Sequence, residues 1–429
     1  MIPRLNQIFR ETIDLIRDEL DVVGRTLRRL RQDMALYFVA AYRINRYVTT
    51  FMTKHGVPGM SLAIAYKGQL VFRKGYGFAD ASTNEPVTID HLFRIASLSK
   101  PITSAAVFKL HQERRVLENG RQVSALGLDE KVFGPGGVLG TKYGTPKDPD
   151  INQITVQHLL EHTSGWSNTP RDIMIDPDPA MIAAGLNWKA MTKDDLIKWM
   201  VANRKLAHKP GDTYEYLNFG YLVLGRVIEA RSGMSYADYV RQEVLAPCGI
   251  SDMHIAGDTL AERRPNEVHY YESSWDPYSI LVSRMDAHGG WIASPTDYLR
   301  FLVRVDGFPT PPDILTSASI DTMVTPNTAT DSAGPPLPST VKYAKGWYVG
   351  VGDNNRDNYW HPGELPGTIA LCLRTTDEYC FVVLANSHYY TTHPTVTTSD
   401  VDDIDRLFWQ IKNEEGKSTE LGWPTGTPL

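Results

Sequence analysis

The sequence changes character at residues 91–103, which read HLFRIASLSKPIT. A short β-prone apolar run passes there into a helical pattern that continues through SAAVFKLHQERR (104–115). Pro101 is compatible with this helix because it falls in the first turn, where its missing N–H is not needed. Ser97 and Lys100 are spaced so that they share one face of the helix. The segment therefore joins a strand to a helix and brings an alcohol near an amine.

Strand patterns lie on both sides of this segment. Upstream, MSLAIAYKG (60–68) and QLVFRKGYG (69–77) are β-prone apolar runs joined through Lys67-Gly68-Gln69, which predicts a hairpin. Downstream, short β-branched and aromatic runs alternate with turn residues: KGWYVGVG (345–352), TIALCLRT (368–375) and YCFVVLANS (379–387). These runs predict consecutive antiparallel strands, and a last helix is expected over about 399–414.

The middle third of the chain has mainly helical patterns. Apolar periodicity and capping residues predict helices in TVQHLLEH (155–162), TKDDLIKWMVAN (192–203) and SYADYVRQEVL (235–245). Ser294-Pro295-Thr296-Asp297 opens a further helix with cap, proline and acid in the expected order. Strands at both ends with helices between them predict an α+β fold, in which an antiparallel sheet is flanked by helices and carries a mainly helical inserted domain.

The predicted domain boundaries follow from this order of elements. The parts are an N-terminal amphipathic helical extension (1–46), a sheet domain (47–125 and 287–415), a mainly helical domain (126–286) and a C-terminal tail (416–429). The extension is predicted because apolar side chains recur between Phe9 and Tyr37 at alternating intervals of three and four. Its polar face carries both charge signs, which favours docking on its own domain or on another subunit, as in a homo-oligomer, over a membrane surface.

Composition and charge exclude several classes of protein. The chain has 429 residues, of which 42% are hydrophobic and 22% charged, as in ordinary globular proteins. The net charge of -6 supplies no positive field for a phosphate backbone, so nucleic acid is not expected as a partner. Cys248, Cys372 and Cys380 are too few for a disulfide framework or a thiolate metal cage. Reduced thiols are expected, although Cys372 and Cys380 could face one another across a hairpin.

The sequence shows no sign of membrane insertion or export. No apolar run approaches the roughly 20 residues that cross a bilayer. Charged residues interrupt the first 15 positions, where a secretory leader would place a basic stretch directly before an apolar one. A cytoplasmic protein without a membrane span is therefore expected.

A second candidate motif lies in PGDTYEYLNFGYLVLG (210–225). Tyr216 and Asn218 stand directly before an apolar helical run, which would hold their turn against a rigid element. A phenol near a cationic lysine can move a proton, and an amide can bind a substrate carbonyl or orient the lysine. Taken alone, the same pattern is also compatible with a helix start capped by Asn218.

A third candidate motif lies in WHPGELPGT (360–368), directly before a predicted strand. His361 is expected on a sheet-edge strand, where Gly363 would let a substrate backbone approach closely. The amide N–H of Glu364 could then point at an oxyanion together with the N–H of Ser97. A histidine beside proline and glycine is otherwise a turn residue.

Together the three motifs resemble those of the serine β-lactamase and penicillin-binding-protein-like superfamily, which includes class C β-lactamases, family VIII carboxylesterases and D-peptidases. The resemblance covers about residues 47–415. It extends to connecting segments in the right order, among them ITVQHLLEHTSGWS, AHGGWIASPTDYLRFL and KGWYVG. It implies the fold class given above and catalysis through an acyl-enzyme, without a metal or a cofactor.

The resemblance assigns a role to each motif residue. Ser97 matches the nucleophile, Lys100 the lysine that helps to deprotonate it, and Tyr216 the tyrosine that acts as base or proton relay. Asn218 matches the partner of that tyrosine. The third motif supplies the substrate-binding and oxyanion positions, which are His361, Gly363 and Glu364.

Two departures from the class C pattern affect the expected substrate. His361 stands where class C β-lactamases have lysine, and a neutral histidine is a weaker anchor for the carboxylate of a β-lactam. Pro362 removes an N–H from the strand along which a peptide-like substrate could pair. The sequence therefore predicts a serine hydrolase whose partner is a small-molecule ester or amide.

Three other functions remain open from the sequence. An acyltransferase would use the same acyl-enzyme, with an alcohol or amine in place of water. A catalytically inactive scaffold protein is another alternative, because the superfamily includes such members. Finally, His158, Glu161 and His162 fit the H-x-x-E-H pattern of inverted zinc peptidases, although no third ligand is evident.

Overall fold

The computed structural model describes residues 23–24, 40–116, 122–331, 340–350, 358–388, 400–415 and 427–429. The helices are α1 (described over 40–55), α2 (Ser99–Gln112), α3 (Val156–Leu160), α4 (Pro179–Ala183), α5 (Lys193–Asn203), α6 (Asn218–Ser232), α7 (Tyr236–Val240), α8 (Pro295–Leu302), α9 (Ser317–Val324) and α10 (Asp400–Glu415). A 3-10 turn at Ala96–Leu98 leads directly into α2.

The strands lie mostly at the two ends of the described chain. They are β1 (Gly59–Tyr66), β2 (Gln69–Asp80), β3 (Glu85–Pro86), β4 (Phe93–Arg94), β5 (Arg114–Val116), β6 (Gln122–Ser124), β7 (Thr213–Tyr214), β8 (His254–Ile255), β9 (Trp291–Ala293), β10 (Thr330–Asp331), β11 (Val341–Tyr343), β12 (Tyr348–Gly350), β13 (Tyr359–Leu365), β14 (Thr368–Arg374), β15 (Tyr379–Ala385) and β16 (Thr427–Pro428).

One large antiparallel sheet contains the strands from both ends of the chain. Its order is β11-β12-β13-β14-β15-β1-β2-β16, and β3 pairs with β2 beside this path. The predicted hairpin at residues 67–69 is present between β1 and β2. Since β1 pairs with β15, the upstream hairpin completes the sheet begun by the downstream strands. The α+β prediction, with an antiparallel sheet flanked by helices, is confirmed.

Both faces of the central strands of this sheet are buried, which explains why β1, β14 and β15 have continuous apolar sequences. In β1, Ala63 and Ala65 belong to the buried cluster that includes residues of α2, α6 and α8, whereas Leu62 and Ile64 belong to a second cluster with residues of α1 and α10. Successive side chains of a strand point to opposite faces, so a sheet covered on both sides needs apolar residues at every position. The segment 40–55 therefore docks on its own sheet.

The helices of the middle region share one apolar core with the inner face of the sheet. Leu222 of α6, Leu196 of α5 and Tyr298 of α8 belong to the same buried cluster as Ala63. Capping follows the predicted residues: Thr192 and Asp195 form a reciprocal box at α5, and Ser294 caps α8. The division of the chain at residues 126 and 286 stays a prediction.

The hairpin of β14 and β15 separates the two cysteines that the sequence left open for bridging. Cys372 pairs with Val382, whereas Cys380 pairs with Arg374, so the two residues are not opposite each other. All three cysteines are free and buried, and burial raises the pKa of Cys372 to about 12. They are small core side chains rather than reactive thiols.

The expectation of a sheet-edge position for β13 needs a correction. Tyr359 and Trp360 pair with β12, so the strand begins inside the sheet. The described part of β12 has only three residues, and from His361 to Leu365 the described pairing is with β14 alone. The open side of that stretch faces the 3-10 turn at Ala96–Leu98.

Several predictions concern segments at the chain ends. The apolar stripe between Phe9 and Tyr37, and the oligomer contact inferred from it, lie outside the described residues. Within the predicted tail, Thr427 and Pro428 pair with β2. In the part of the chain that the structure describes, no helix combines the length and the apolar character needed to cross a membrane.

Candidate active site

Ser97 lies in a tight turn between β4 and α2. Ala96 has a φ of 48°, a left-handed value that costs a residue with a side chain on the order of 1 to 3 kcal/mol. The turn is held by two hydrogen bonds: Ser99 Oγ donates to Ala96 O over 2.7 Å, and Tyr298 Oη donates to Leu98 O over 2.9 Å. This strained turn presents the half-buried Ser97 ahead of the helix.

Lys100 is fully buried beside Ser97. Its Nζ lies 2.9 Å from Ser97 Oγ, 2.8 Å from Asn218 Oδ1 and 3.0 Å from the carbonyl oxygen of His288. Burial holds the pKa of Lys100 well below its usual range, against a smaller opposite effect of Asp172. In its neutral form the amine would have two N–H donors for the two carbonyl oxygens and a lone pair directed to Ser97.

Tyr216 approaches Ser97 from the helical side. Its Oη donates a hydrogen bond of 2.9 Å to Ser97 Oγ. Burial raises the pKa of Tyr216 well above its usual range, and the nearby phenol of Tyr348 raises it further. Tyr216 therefore holds its proton at neutral pH.

Asn218, the first residue of α6, links the lysine to a carboxylate. Its Oδ1 accepts from Lys100, and its Nδ2 donates to Asp172 Oδ2 over 2.7 Å. The side chain therefore bridges the amine of Lys100 and the carboxyl group of Asp172. It does not cap the helix, because the N-cap position belongs to Leu217.

His361 lies behind Tyr216 and is 1% exposed. Its Nδ1 donates to Pro362 O over 2.6 Å, and its Nε2 accepts from Tyr343 Oη over 3.2 Å. Burial lowers the pKa of His361 to about 3, with a further contribution from Lys100, so the ring is neutral. Both nitrogens are engaged inside the protein, which does not support the expected substrate contact of this side chain.

Gly363 lets β13 approach the turn that contains Ser97. A Cβ at this position would lie 2.6 Å from Ile95 O, 2.9 Å from Leu98 Cδ1 and 3.2 Å from the amide nitrogen of Ser97. Only glycine fits such an approach of two backbones. The next residue, Glu364, has an exposed side chain, and its backbone continues the open side of β13.

Substitution of Gly363 by alanine is expected to lower kcat/KM about ten- to a hundredfold, because β13 must move away from Ser97 and misplace the amide of Glu364. Hydrolysis of a chromogenic ester measures the effect. Gly350→Ala in β12 is the matched control, since a Cβ there makes only ordinary contacts, with Trp360 Cζ3 at 3.6 Å and Asn358 O at 3.8 Å. Equal rates for both variants would contradict a close approach of β13.

A family model described as Beta-lactamase matches residues 44–403, which is most of the chain. The chain belongs to the Beta-lactamase family. The resemblance inferred from the three motifs is therefore confirmed at the level of the family.

Individual relatives are distant. Penicillin-binding protein 4* of Bacillus subtilis (strain 168) is 25% identical over 347 residues, which cover 76% of this chain and 67% of that protein. The chain spans 62–67% of the length of the first curated relatives it matches.

Solved structures match at the level of the fold. The D-amino acid amidase from Ochrobactrum anthropi SV3 has a TM-score of 0.63 at 23% identity, covering 87% of this chain and 99% of that one. EstCE1, described as a hydrolase with promiscuous acyltransferase activity, has a TM-score of 0.66 at 16% identity and covers 89% and 98%. Penicillin-binding proteins, amidases and esterases thus share this β-lactamase-type fold.

The zinc alternative has no geometric basis in this member of the family. Helix α3 ends at Leu160, and His162 has a φ of 57°, so the helical i, i+4 spacing of the two histidines is lost. His158 Nδ1 accepts from Thr155 N, His162 Nδ1 accepts from Leu217 N, and Glu161 pairs with Lys345. The described residues contain no group of three or more metal-ligating side chains suited to a metal ion.

Two groups in the site were not predicted. The carbonyl of His288 comes from a turn before β9, and Asp172 comes from the loop between α3 and α4. Neither lies within a motif, and a backbone carbonyl carries no residue-type signal at all.

Proposed function

We propose that this protein is a serine hydrolase that forms an acyl-enzyme on Ser97 with a small ester or amide. The observation that carries the proposal is the position of Ser97 Oγ, which lies 2.9 Å from both Lys100 Nζ and Tyr216 Oη. An alcohol becomes a useful nucleophile only when a neighbouring base removes its proton. Here one amine and one phenol are within hydrogen-bond distance of the same oxygen.

Lys100 is the base for acylation in this proposal. Burial holds its pKa well below the usual range, which favours the neutral amine, and its two N–H groups are then directed to Asn218 and His288. The lone pair is then free to take the proton of Ser97 as the oxygen attacks the substrate carbonyl. The base thus needs no rearrangement before the reaction.

Tyr216 relays the proton to the leaving group. A phenol with a raised pKa does not compete with Lys100 as a base. It can, however, pass its own proton to the leaving group while it receives the proton that Lys100 took from Ser97. After the leaving group departs, the same pair activates water, which attacks the acyl-enzyme and releases the acid.

The oxyanion of the tetrahedral intermediate is held by the amides of Ser97 and Glu364. The close approach of Gly363 to Ser97 supports this assignment, because it brings the two backbones together at the nucleophile. Each donor of such a pair typically contributes on the order of a hundredfold in rate.

The surroundings favour a substrate without a carboxylate. His361 is neutral and buried, and the amine of Lys100 is committed to Asn218 and His288, so neither offers a cation to an anionic β-lactam. The Ochrobactrum anthropi protein is described as an amidase, and EstCE1 is described as a hydrolase. Both descriptions are compatible with a small ester or amide as the substrate class.

Two alternatives use the same fold. Acyl transfer to an alcohol or amine remains a second candidate, because EstCE1 is described with such an activity. A scaffold without catalysis is disfavoured, because an inactive site has no need for a buried lysine whose pKa is depressed next to a serine.

The test is a panel of short-chain p-nitrophenyl esters, D-amino-acid amides and a chromogenic cephalosporin, with the intact protein mass measured during turnover. We expect the highest kcat/KM on esters and a mass increase equal to the acyl group, located on the peptide that contains Ser97. Turnover without an adduct on Ser97 would contradict the mechanism. A dominant cephalosporin rate would contradict the proposed substrate class.

A further inference from the structure

We propose that Asp172 binds the α-ammonium group of the substrate, so that the preferred acyl group is an amino acid with a free amine. This inference rests on the proposed function, since it names the class of ester or amide that the same site accepts. Asp172 would be a specificity-determining residue and would take no part in proton transfer.

Asp172 is separated from the base by a single side chain. Its Oδ2 accepts from Asn218 Nδ2 over 2.7 Å, and Asn218 Oδ1 accepts from Lys100, which contacts Ser97. The Asp172 residue is partly exposed, and its carboxylate lies at the Nδ2 end of the Asn218 amide, opposite the end that contacts Lys100. An α-amine lies two bonds from the carbonyl carbon that Ser97 attacks, or about 2.5 Å, and the proposal directs it to the Asn218 side of the bound acyl group.

The carboxylate is held in place before any substrate binds. Its Oδ1 accepts from Met174 N over 2.9 Å, and its own carbonyl accepts from Ile175 N and Asp176 N. Elsewhere in the loop, Asn168 Nδ2 donates to Tyr216 O over 2.5 Å. Such a fixed acceptor loses little side-chain entropy on binding a cation.

Asp172 differs from the other acids of its loop in having no cation. Asp176 pairs with Arg171, and Asp178 pairs with Arg204. Among the described residues, no lysine, arginine or histidine lies within ion-pair distance of Asp172. Burial raises the pKa of Asp172 accordingly, and a bound ammonium group would stabilise its charged form.

A purely structural role for Asp172 makes a different prediction. Its hydrogen bond fixes which end of the Asn218 amide faces Lys100, so Asp172 could act only by orienting Asn218. Loss of that orientation would slow every substrate equally. Loss of an ammonium site would slow only substrates that carry the amine.

The experiment compares two substrates in each variant: phenylalanine p-nitrophenyl ester, and 3-phenylpropionate p-nitrophenyl ester, which lacks the amine. For Asp172→Asn we expect kcat/KM to fall about ten- to a hundredfold on the amino ester, mainly through KM, and less than about threefold on its desamino analogue. Asparagine keeps an acceptor for Asn218. The ratio of the two rates is independent of how much of a preparation is folded.

Asp176→Asn is the matched control, because it removes one negative charge from the same loop at a residue paired with Arg171. It is expected to leave the ratio unchanged. Equal losses on both esters in Asp172→Asn would overturn the proposal in favour of a positioning role. A wild type that shows no preference for the amino ester over its desamino analogue would also overturn it. A preference that is lost in Glu364→Gln and kept in Asp172→Asn would assign the ammonium to Glu364 instead. If the wild type hydrolysed neither ester, the proposed function itself would fail.

Discussion

Lys100→Met is expected to lower kcat/KM by on the order of a thousandfold, the largest loss among single changes that keep the nucleophile. Methionine has nearly the length of lysine and suits a fully buried position, but it has no lone pair of sufficient basicity for the proton of Ser97. Hydrolysis of p-nitrophenyl esters measures the loss, and the urea midpoint of unfolding shows whether the fold is retained.

The pH profile separates a basic role of Lys100 from a structural one. The active form needs Lys100 without its proton, so wild-type kcat/KM falls as the pH drops through the pKa of Lys100, which burial holds well below its usual range. That acidic limb is expected to vanish from the residual activity of Lys100→Met. Lys109→Met, on the solvent side of the same helix, is the control and is expected to keep it. An acidic limb that persists unchanged in Lys100→Met would remove Lys100 as the titrating base.

Tyr216→Phe is expected to lower kcat/KM on the order of a hundredfold or more while leaving the fold intact. The change removes one hydroxyl, which donates to Ser97 Oγ, and leaves the aromatic ring that packs against His162. Substrates with poor leaving groups, such as amides, should lose more than activated esters, because p-nitrophenolate departs without a proton. Rates on both substrate types therefore measure the relay.

Tyr239→Phe is a suitable comparison for this change, since it removes a hydroxyl bound to Glu113 outside the site. Its rates are expected to match those of the wild type on esters and amides. If Tyr216→Phe lost the same factor on both types of substrate, the phenol would orient Ser97 without delivering a proton. Near-normal turnover would remove Tyr216 from the mechanism.

Local sequence patterns predicted the elements because each has its own chemical signal. The β1–β2 hairpin follows from two apolar runs around Lys67 and Gly68, and α5 begins where Thr192 and Asp195 can cap each other. The family resemblance rested on three short motifs and their order. These features depend on residues close in sequence, and local physics determines them.

Contacts between distant segments were not accessible in the same way. The H-x-x-E-H pattern around His158 suggested a metal helix, but α3 stops after Leu160 and His162 turns toward Leu217. The strand β12 was predicted within KGWYVGVG, but its pairing with the start of β13 was missed, because a pairing between two strands leaves no local sequence pattern. Asp172 lies in a loop without periodicity, and only its contact with Asn218 shows its importance.

The partners of Lys100 come from widely separated parts of the chain, and this bears on how activity arises during folding. Asn218 is 118 residues away from Lys100, and His288 is 188 residues away. Closing loops of this length is entropically costly, so such contacts form together with the long-range core and not with the local helices. The lysine can lose its proton only when that enclosure is complete. A partly folded chain would therefore carry an ordinary protonated lysine and an unreactive serine. Its serine would not be acylated by substrate before the native state is reached.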